Sequence, residues 1–299
     1  MLAPHRARRM QTIPAWSVRS NAWPTMRLDK TMRGTGKADV FVMLAHPVAH
    51  AKSPGMFNAL MEEQGLDSLM VPVTCRPEDF DVFWAGLSAM ENLKGMIISV
   101  PYKQRVFEKC ATAHPRAARV GAANTVVRGP DGQWHADNFD GVGFMDGLAE
   151  AGIDVAGRRI LQVGAGGAGA SLAYCLAEAG AAAVTISDTA TNRAEDLARL
   201  VEQTFADCTL RAAAPDPEGH DIIINATPMG LKPDDPLPVD VTRLQPSMIV
   251  VDIIMDPVET PLLRHAKELG CRVQYGQPMM DCQMKAMSEC LNVLNGPKR

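Results

Sequence analysis

Several features are missing from this sequence, and each absence narrows what it can be. No apolar run reaches the roughly 18 residues that a membrane-crossing helix needs, so no membrane partner is expected. Neither sign of charge dominates, since the formal net charge over 299 residues is −4. That gives no electrostatic reason to expect nucleic acid or an anionic membrane surface as a partner. The seven cysteines (Cys75, Cys110, Cys175, Cys208, Cys271, Cys282, Cys290) are scattered, odd in number and never spaced C-x-x-C. This argues against a zinc site or a disulfide frame, and for reduced thiols in a cytoplasm. Internal repeats and low-complexity tracts are absent too. What remains is 46% hydrophobic and 21% charged, the balance of a soluble globular protein. The length suits one large or two ordinary domains.

Residues 1–38 stand apart. They are Arg-rich, nearly free of acids and without apolar periodicity. No apolar segment follows the charges, which argues against a secretory signal. The composition reads as a flexible extension or the product of an upstream start codon.

Two halves follow, both alternating strand with helix. In the first, "VFVMLA" (40–45), "LMVPVT" (69–74) and "GMIISV" (95–100) are short apolar runs. Between them, "SPGMFNALMEEQG" and "PEDFDVFWAGLSAM" carry apolar residues at helical spacing. Pro54 and Pro77 suit first helical turns, and Gly65 suits a helix end. "ANTVVRGPDGQWHA" reads as a hairpin turning at "GPDG". The alternation predicts an α/β fold with mainly parallel sheets and covered faces. In the second half, "RRILQV", "AAVTISD", "HDIIINAT", "SMIVVDII" and "CRVQYG" read as strands. "TNRAEDLARLVEQTF" and "TPLLRHAKELG" read as helices, and "MMDCQMKAMSECLNVL" as a final amphipathic helix. The expected division is a substrate domain at 39–144, with the final helix 279–295 packed back on it, and a Rossmann-type, doubly wound dinucleotide domain at 145–278.

"VGAGGAGAS" supplies Gly164-x-Gly166-x-x-Gly169, with Gly167 and Ala168 between. The first glycine permits a tight turn and the second a close approach of backbone to a pyrophosphate. The third lets helix and strand pack closely. The motif follows a strand and opens a helix, whose N-terminus offers free N–H groups and a positive dipole end to phosphates. Asp188 ends the next strand, where a carboxylate accepts hydrogen bonds from a ribose diol and repels a 2′-phosphate. This favours NAD, with NADP possible through Arg193 nearby; an Asp188 that merely caps the next helix is the structural alternative.

"ADNFDGVGF" (136–144) looks too polar for a core strand and too Gly-rich for a helix interior. "SVPYK" places Lys103 just past the end of an apolar run, where ligand crevices open in α/β sheets. If Lys103 and Asp140 meet in a cleft, the ammonium can give a proton to a carbonyl as hydride arrives, and the amine can take it back. Taken alone, the two residues are better read as a surface ion pair.

The wider set of motifs changes that weighting. From about residue 40 to 290 the chain resembles the shikimate and quinate dehydrogenase family, through "HPVAHAKSPGMFNA", "SVPYK", "GAANTVV", "DNFDGVGF", "GAGGAGAS", "NATPMG", "TPLL" and "GQPMMDCQ" in family order. The resemblance implies that Lys103 and Asp140 are the catalytic pair. It implies that Ser53, Ser99, Asn124 and Gln283 bind substrate, and that Asn225, Thr227 and the backbone near Met229 line the nicotinamide side. It further implies NAD(P)-linked interconversion of a secondary alcohol and a ketone on a small cyclic hydroxy acid of the shikimate or quinate type, within aromatic amino acid biosynthesis. The expected partner is a small-molecule substrate, and the expected assembly a monomer or homodimer. Departures from the family pattern cluster at one end. Ala51 replaces a serine and Met255 a tyrosine of the carboxylate site; Phe139 and Ser99 replace threonines, and Ile97 an asparagine. Ala51, Phe139 and Met255 are therefore expected to contact whatever group replaces the carboxylate. "SDT" (187–189) replaces a basic "N-R-T", which fits an NAD-using member. A related enzyme with another substrate, and a catalytically silent dinucleotide sensor, are the alternatives; a sensor has no need of both Lys103 and Asp140.

Overall fold

The computed structural model describes residues 34–49, 51–232 and 234–293; the extension read from 1–38 lies outside them up to residue 33. The first half contains β1 (Asp39–Ala45), α1 (Ser53–Glu63), β2 (Ser68–Thr74), α2 (Phe80–Ser88), β3 (Leu93–Ile98), α3 (Lys103–Lys109) and β4 (Thr112–Ala113). It continues through α4 (Pro115–Val120), β5 (Thr125–Arg128), β6 (Trp134–Asp137) and α5 (Asp140–Glu150). The strands form a six-stranded sheet in the order β2-β1-β3-β5-β6-β4. β1 pairs parallel with β2 and β3, and β5 and β6 form the hairpin read from "GPDG". β3 stops at Ile98, two residues short of its apolar run. Ser99–Tyr102 turn instead, closed by the Tyr102 N–H on the Ser99 carbonyl at 3.0 Å, and Pro101 has no N–H with which to continue a ladder. Lys103 thereby becomes the first residue of α3, a short helix that the apolar pattern does not announce.

The second half holds β7 (Arg159–Val163), α6 (Gly167–Glu178), β8 (Ala183–Ser187), α7 (Thr191–Thr204), β9 (Thr209–Ala212) and β10 (Ile222–Asn225). β11 (Ile249–Asp252), α8 (Pro261–Glu268), β12 (Arg272–Gln274) and α9 (Gln277–Cys290) follow. All its strand pairs are parallel, in the order β12-β11-β10-β7-β8-β9. Counted from β7, this is the doubly wound order 3-2-1-4-5-6, whose ligand crevice opens at the strand C-termini beside the first strand. Ile160, Leu161, Ile222, Ile223 and Ile224 are fully buried, as a parallel sheet covered on both faces requires. Among the described residues no helix is long and apolar enough to cross a membrane, and no cluster of His, Cys, Asp or Glu could hold a metal ion.

α5 and α9 pack against each other between the sheets. The Gly-rich stretch 136–144 is β6 running into α5, so its glycines do sit inside a helix. Their role is proximity. A Cβ at Gly141 would lie 2.7 Å from the Ser171 carbonyl oxygen on α6, and one at Gly143 would lie 2.6 Å from both the Met279 carbonyl oxygen and Gln283 Cβ on α9. The cost of glycine in a helix, about 1 kcal/mol, is offset by backbones close enough for one helix to serve two neighbours. α9 begins two residues before the expected 279 and ends at Cys290; its Met284 and Met287, with Leu291 just after it, share a core with Phe41, Phe57 and Ile97 of the first half.

Candidate active site

Asp140 is the first residue of α5 and is 4% exposed. Its N–H is accepted by Asn138 Oδ1 at 3.1 Å, and Ser171 Oγ donates to the same oxygen at 3.1 Å while accepting the Gly141 N–H at 2.9 Å. The start of α5 is thus clamped from both sides. Asp140 Oδ2 accepts a hydrogen bond from Lys103 Nζ at 2.6 Å; the lysine side chain is 18% exposed. Asp140 Oδ1 accepts one from Asn124 Nδ2 at 2.9 Å and one from Gln283 Nε2 at 2.6 Å. Burial pushes the Asp140 carboxyl up, but the Lys103 charge and the hydrogen bonds from Lys103, Asn124 and Gln283 outweigh it, and the net shift is downward. The acid is therefore ionised at neutral pH. This is no surface ion pair: three side chains, from the start of α3, the entry to β5 and α9, converge on one carboxylate.

A cavity of about 190 Å³ opens on this cluster. Ser53, Ser99, Lys103, Asn124, Asp140 and Gln283 supply its polar lining, and Met255 and Ile97 lie among its apolar residues. Two sequence expectations fail here. Neither Ala51 nor Phe139 lines the cavity; both pack in the core that also holds Ile97 and Met287. Phe139 is 4% exposed, with the Arg116 guanidinium 4.3 Å from its ring centroid. Arg116 is itself fixed by Asp137, through Nε–Oδ1 and Nη2–Oδ2 bonds of 2.6 Å each. A charge-paired guanidinium over an aromatic face gives Phe139 a packing role, which a one-dimensional reading of "NFDG" does not reveal.

The glycine loop forms a second cavity, of about 420 Å³, lined by Gly164, Gly166, Asp188, Arg193, Thr227 and Met229 among others. Gly164 has φ +111°, and a Cβ there would meet the Ala226 carbonyl oxygen at 2.7 Å; in front of Gly166 there is open space. A Cβ at Gly169 would come within 2.1 Å of the Gly164 carbonyl oxygen, so this glycine packs helix on strand. Gly167 and Ala168 open α6, where backbone N–H groups have no intrahelical partner. This cradle fits a dinucleotide pyrophosphate. The glycine loop comes close to the first cavity: a Cβ at Gly167 would lie 3.9 Å from Lys103 Cδ.

Asp188 accepts the Ala165 and Ala190 N–H groups at 2.8 Å each, with Arg193 Nη1 3.7 Å away. Burial raises its pKa, but the two backbone donors and Arg193 prevail, so it is shifted down. It both stands at the rim of the cavity and ties the glycine loop to β8. Asn225 lies beneath the cavity and is fully buried. Its amide donates to the Met229 carbonyl at 3.0 Å and to Asp252 Oδ2 at 3.1 Å, and accepts from Thr227 N and Oγ1. Asn225 shapes the 225–229 turn, while Thr227 and Met229 face the cavity. Gln162, unflagged by the sequence, donates to the carbonyls of Gly164 and Gly169 at 2.9 and 2.8 Å.

A doubly wound sheet with a glycine cradle, set beside a buried Lys–Asp pair, defines a dinucleotide-linked oxidoreductase architecture. Residues 43–126 match the family model of the shikimate dehydrogenase substrate binding domain. A shikimate dehydrogenase (NADP(+)) of Acidiphilium cryptum is 35% identical over 246 residues, 82% of this chain and 87% of that protein. Among solved structures, shikimate 5-dehydrogenase from Listeria monocytogenes in complex with shikimate and NAD superposes with a TM-score of 0.78 at 29% identity, covering 90% of this chain and 95% of that one. A 5-ketofructose reductase of Gluconobacter sp. strain CHM43 gives a TM-score of 0.76 at 30% identity, covering 85% and 92%. The chain belongs to the shikimate/quinate dehydrogenase family.

Proposed function

We propose that the protein is an NAD(P)-dependent dehydrogenase that interconverts a secondary alcohol and a ketone on a small polyhydroxylated ring, with shikimate- and quinate-type hydroxy acids as the reference substrates. The observation that carries this reading is the Lys103–Asp140 bond of 2.6 Å in a cavity that abuts the glycine loop. A nicotinamide dinucleotide, when bound, supplies or takes up the hydride. Lys103 moves the proton: its ammonium donates to the ketone oxygen in reduction, and its neutral amine accepts from the hydroxyl in oxidation. Asp140 orients that amine through the Nζ–Oδ2 hydrogen bond. Asn124 and Gln283 each spend one amide N–H on Asp140 and keep a second for a substrate hydroxyl. Ser53 and Ser99 offer hydroxyls to the rest of the ring. The first sheet with α9 holds substrate and the second sheet the dinucleotide, the division running through α5.

The dinucleotide in this reading is NAD. An ionised Asp188 at the rim favours a ribose diol and repels a 2′-phosphate, and Arg193 is drawn toward Asp188 at 3.7 Å. The Listeria structure holds NAD, whereas the Acidiphilium relative is named for NADP(+), so the family accommodates both. The test is a screen of shikimate, quinate and other ring alcohols with each dinucleotide, followed by the absorbance of the reduced nicotinamide. Turnover that disappears in Lys103→Ala supports the reading. Dinucleotide binding with no turnover on any ring alcohol would instead favour a silent sensor.

A further inference from the structure

The substrate cavity has no spare positive charge. Among the described residues lining it, Lys103 and Asp140 are the only charged ones, and they neutralise each other at 2.6 Å. The polar remainder is two amides and the hydroxyls of Ser53 and Ser99. The rest is thioether and hydrocarbon: Met43, Met255, Met279, Met280 and Met287 all face the same small space. Their placement follows from the fold. Met279, Gln283 and Met287 recur at four-residue steps on α9 and so share one face, with the amide that reaches Asp140 set between two thioethers. Met43 on β1 pairs in register with Ile97 on β3, and together they carry the apolar surface across the sheet. Met255 reaches in from the segment after β11.

A carboxylate entering this cavity would bring a net charge of one into a lining whose cation is already committed. Two neutral hydroxyls would have to replace the water around it, and an ionised group is the costliest species to desolvate without a charged partner. An uncharged hydroxylated molecule faces no such penalty. Its hydroxyls meet Lys103, the spare amide groups and the serines, and its carbon skeleton meets methionines, which adapt to irregular apolar shapes. The volume, about 190 Å³, lies below the roughly 300–1,000 Å³ of pockets for drug-sized ligands, so the molecule is small.

We infer that the preferred substrate is a small uncharged hydroxy ketone, with its alcohol, that carries no carboxylate. The inference rests on the alcohol–ketone reading above and changes one end of its substrate.

The test compares shikimate with its primary amide, the same ring and nearly the same shape without the charge. The full-length protein with saturating dinucleotide is expected to give a kcat/KM at least tenfold higher for the amide, with the difference in KM. Met255→Lys adds a cation at the half-buried rim and is expected to raise kcat/KM for shikimate at least tenfold while leaving the amide unimproved. A wild type that handles shikimate as well as the amide, or better, overturns the inference. Calorimetry on the dinucleotide complex separates the two levels. If both compounds bind and neither turns over, the alcohol–ketone reading fails, and the ratio of the two affinities then decides the inference by the same tenfold criterion. Failure of the amide to bind at all overturns it.

Discussion

Gly143 and Gln283 touch backbone to side chain: a Cβ at 143 would lie 2.6 Å from Gln283 Cβ and 2.8 Å from its backbone nitrogen. The helix that begins with the candidate catalytic acid therefore leans directly on the residue that donates to it.

Gly143→Ala should force α5 and α9 apart, because the nearest atoms include backbone that cannot rotate away. Overpacking of this kind costs about 1–3 kcal/mol, measurable as a shift in the urea midpoint. Because Gln283 must move, kcat should fall by more than the fraction of unfolded protein explains. Unchanged stability and kinetics would show that the helices separate freely.

Lys103→Ala should reduce turnover by a factor on the order of 10²–10⁴ without weakening dinucleotide binding. It also leaves a buried carboxylate without its cation, a loss typically of about 3–5 kcal/mol. Adding Asp140→Asn removes the orphan charge, so the double variant should be more stable than Lys103→Ala and scarcely less active. Denaturation and steady-state kinetics on the four proteins check both halves.

Much of this was legible in the sequence, and the rest had physical reasons for staying hidden. The glycine loop could be read because strand, turn and helix are each signalled locally, and Gly164 and Gly169 have no substitute at such close approach. The meeting of Lys103, Asp140, Asn124 and Gln283 was legible through ordered motifs, since no local pattern brings residue 283 to residue 140. The helical state of 140–150 was obscured because its glycines answer to α6 and α9, which are remote in sequence. Phe139 adjoins Asp140 in the sequence, but the Arg116 guanidinium over its ring comes from a segment more than twenty residues away. The methionines of α9 gave an amphipathic signal that cannot distinguish a core face from a cavity wall.

The pH dependence follows from the sign of the Asp140 shift. A carboxyl held below its unfolded value, about 3.9, contributes stability fully above that value and loses it as pH falls through the lower folded value. The stability difference between wild type and Asp140→Asn should be constant near neutrality and shrink below about pH 4. Urea unfolding across that range measures it; a difference that stays flat into acid would mean that Asp140 is not the ionised partner.

Asp188→Arg should raise the ratio of kcat/KM for NADP to that for NAD at least tenfold. Both absolute values should fall, because the Ala165 and Ala190 N–H groups lose their acceptor, and each such bond to a charged group is worth about 1.5–3 kcal/mol. Asp188→Asn keeps an acceptor oxygen and should restore most of the affinity without the switch in preference. A wild type that already prefers NADP contradicts the role given to Asp188.

Gln283 lies 143 residues beyond the carboxylate it donates to. On a translating ribosome the whole glycine cradle therefore emerges before the substrate cavity can close, although the segments that carry Lys103 and Asn124 are made first. A nascent chain can gain its glycine cradle while Asp140 still lacks the donor that arrives only with α9.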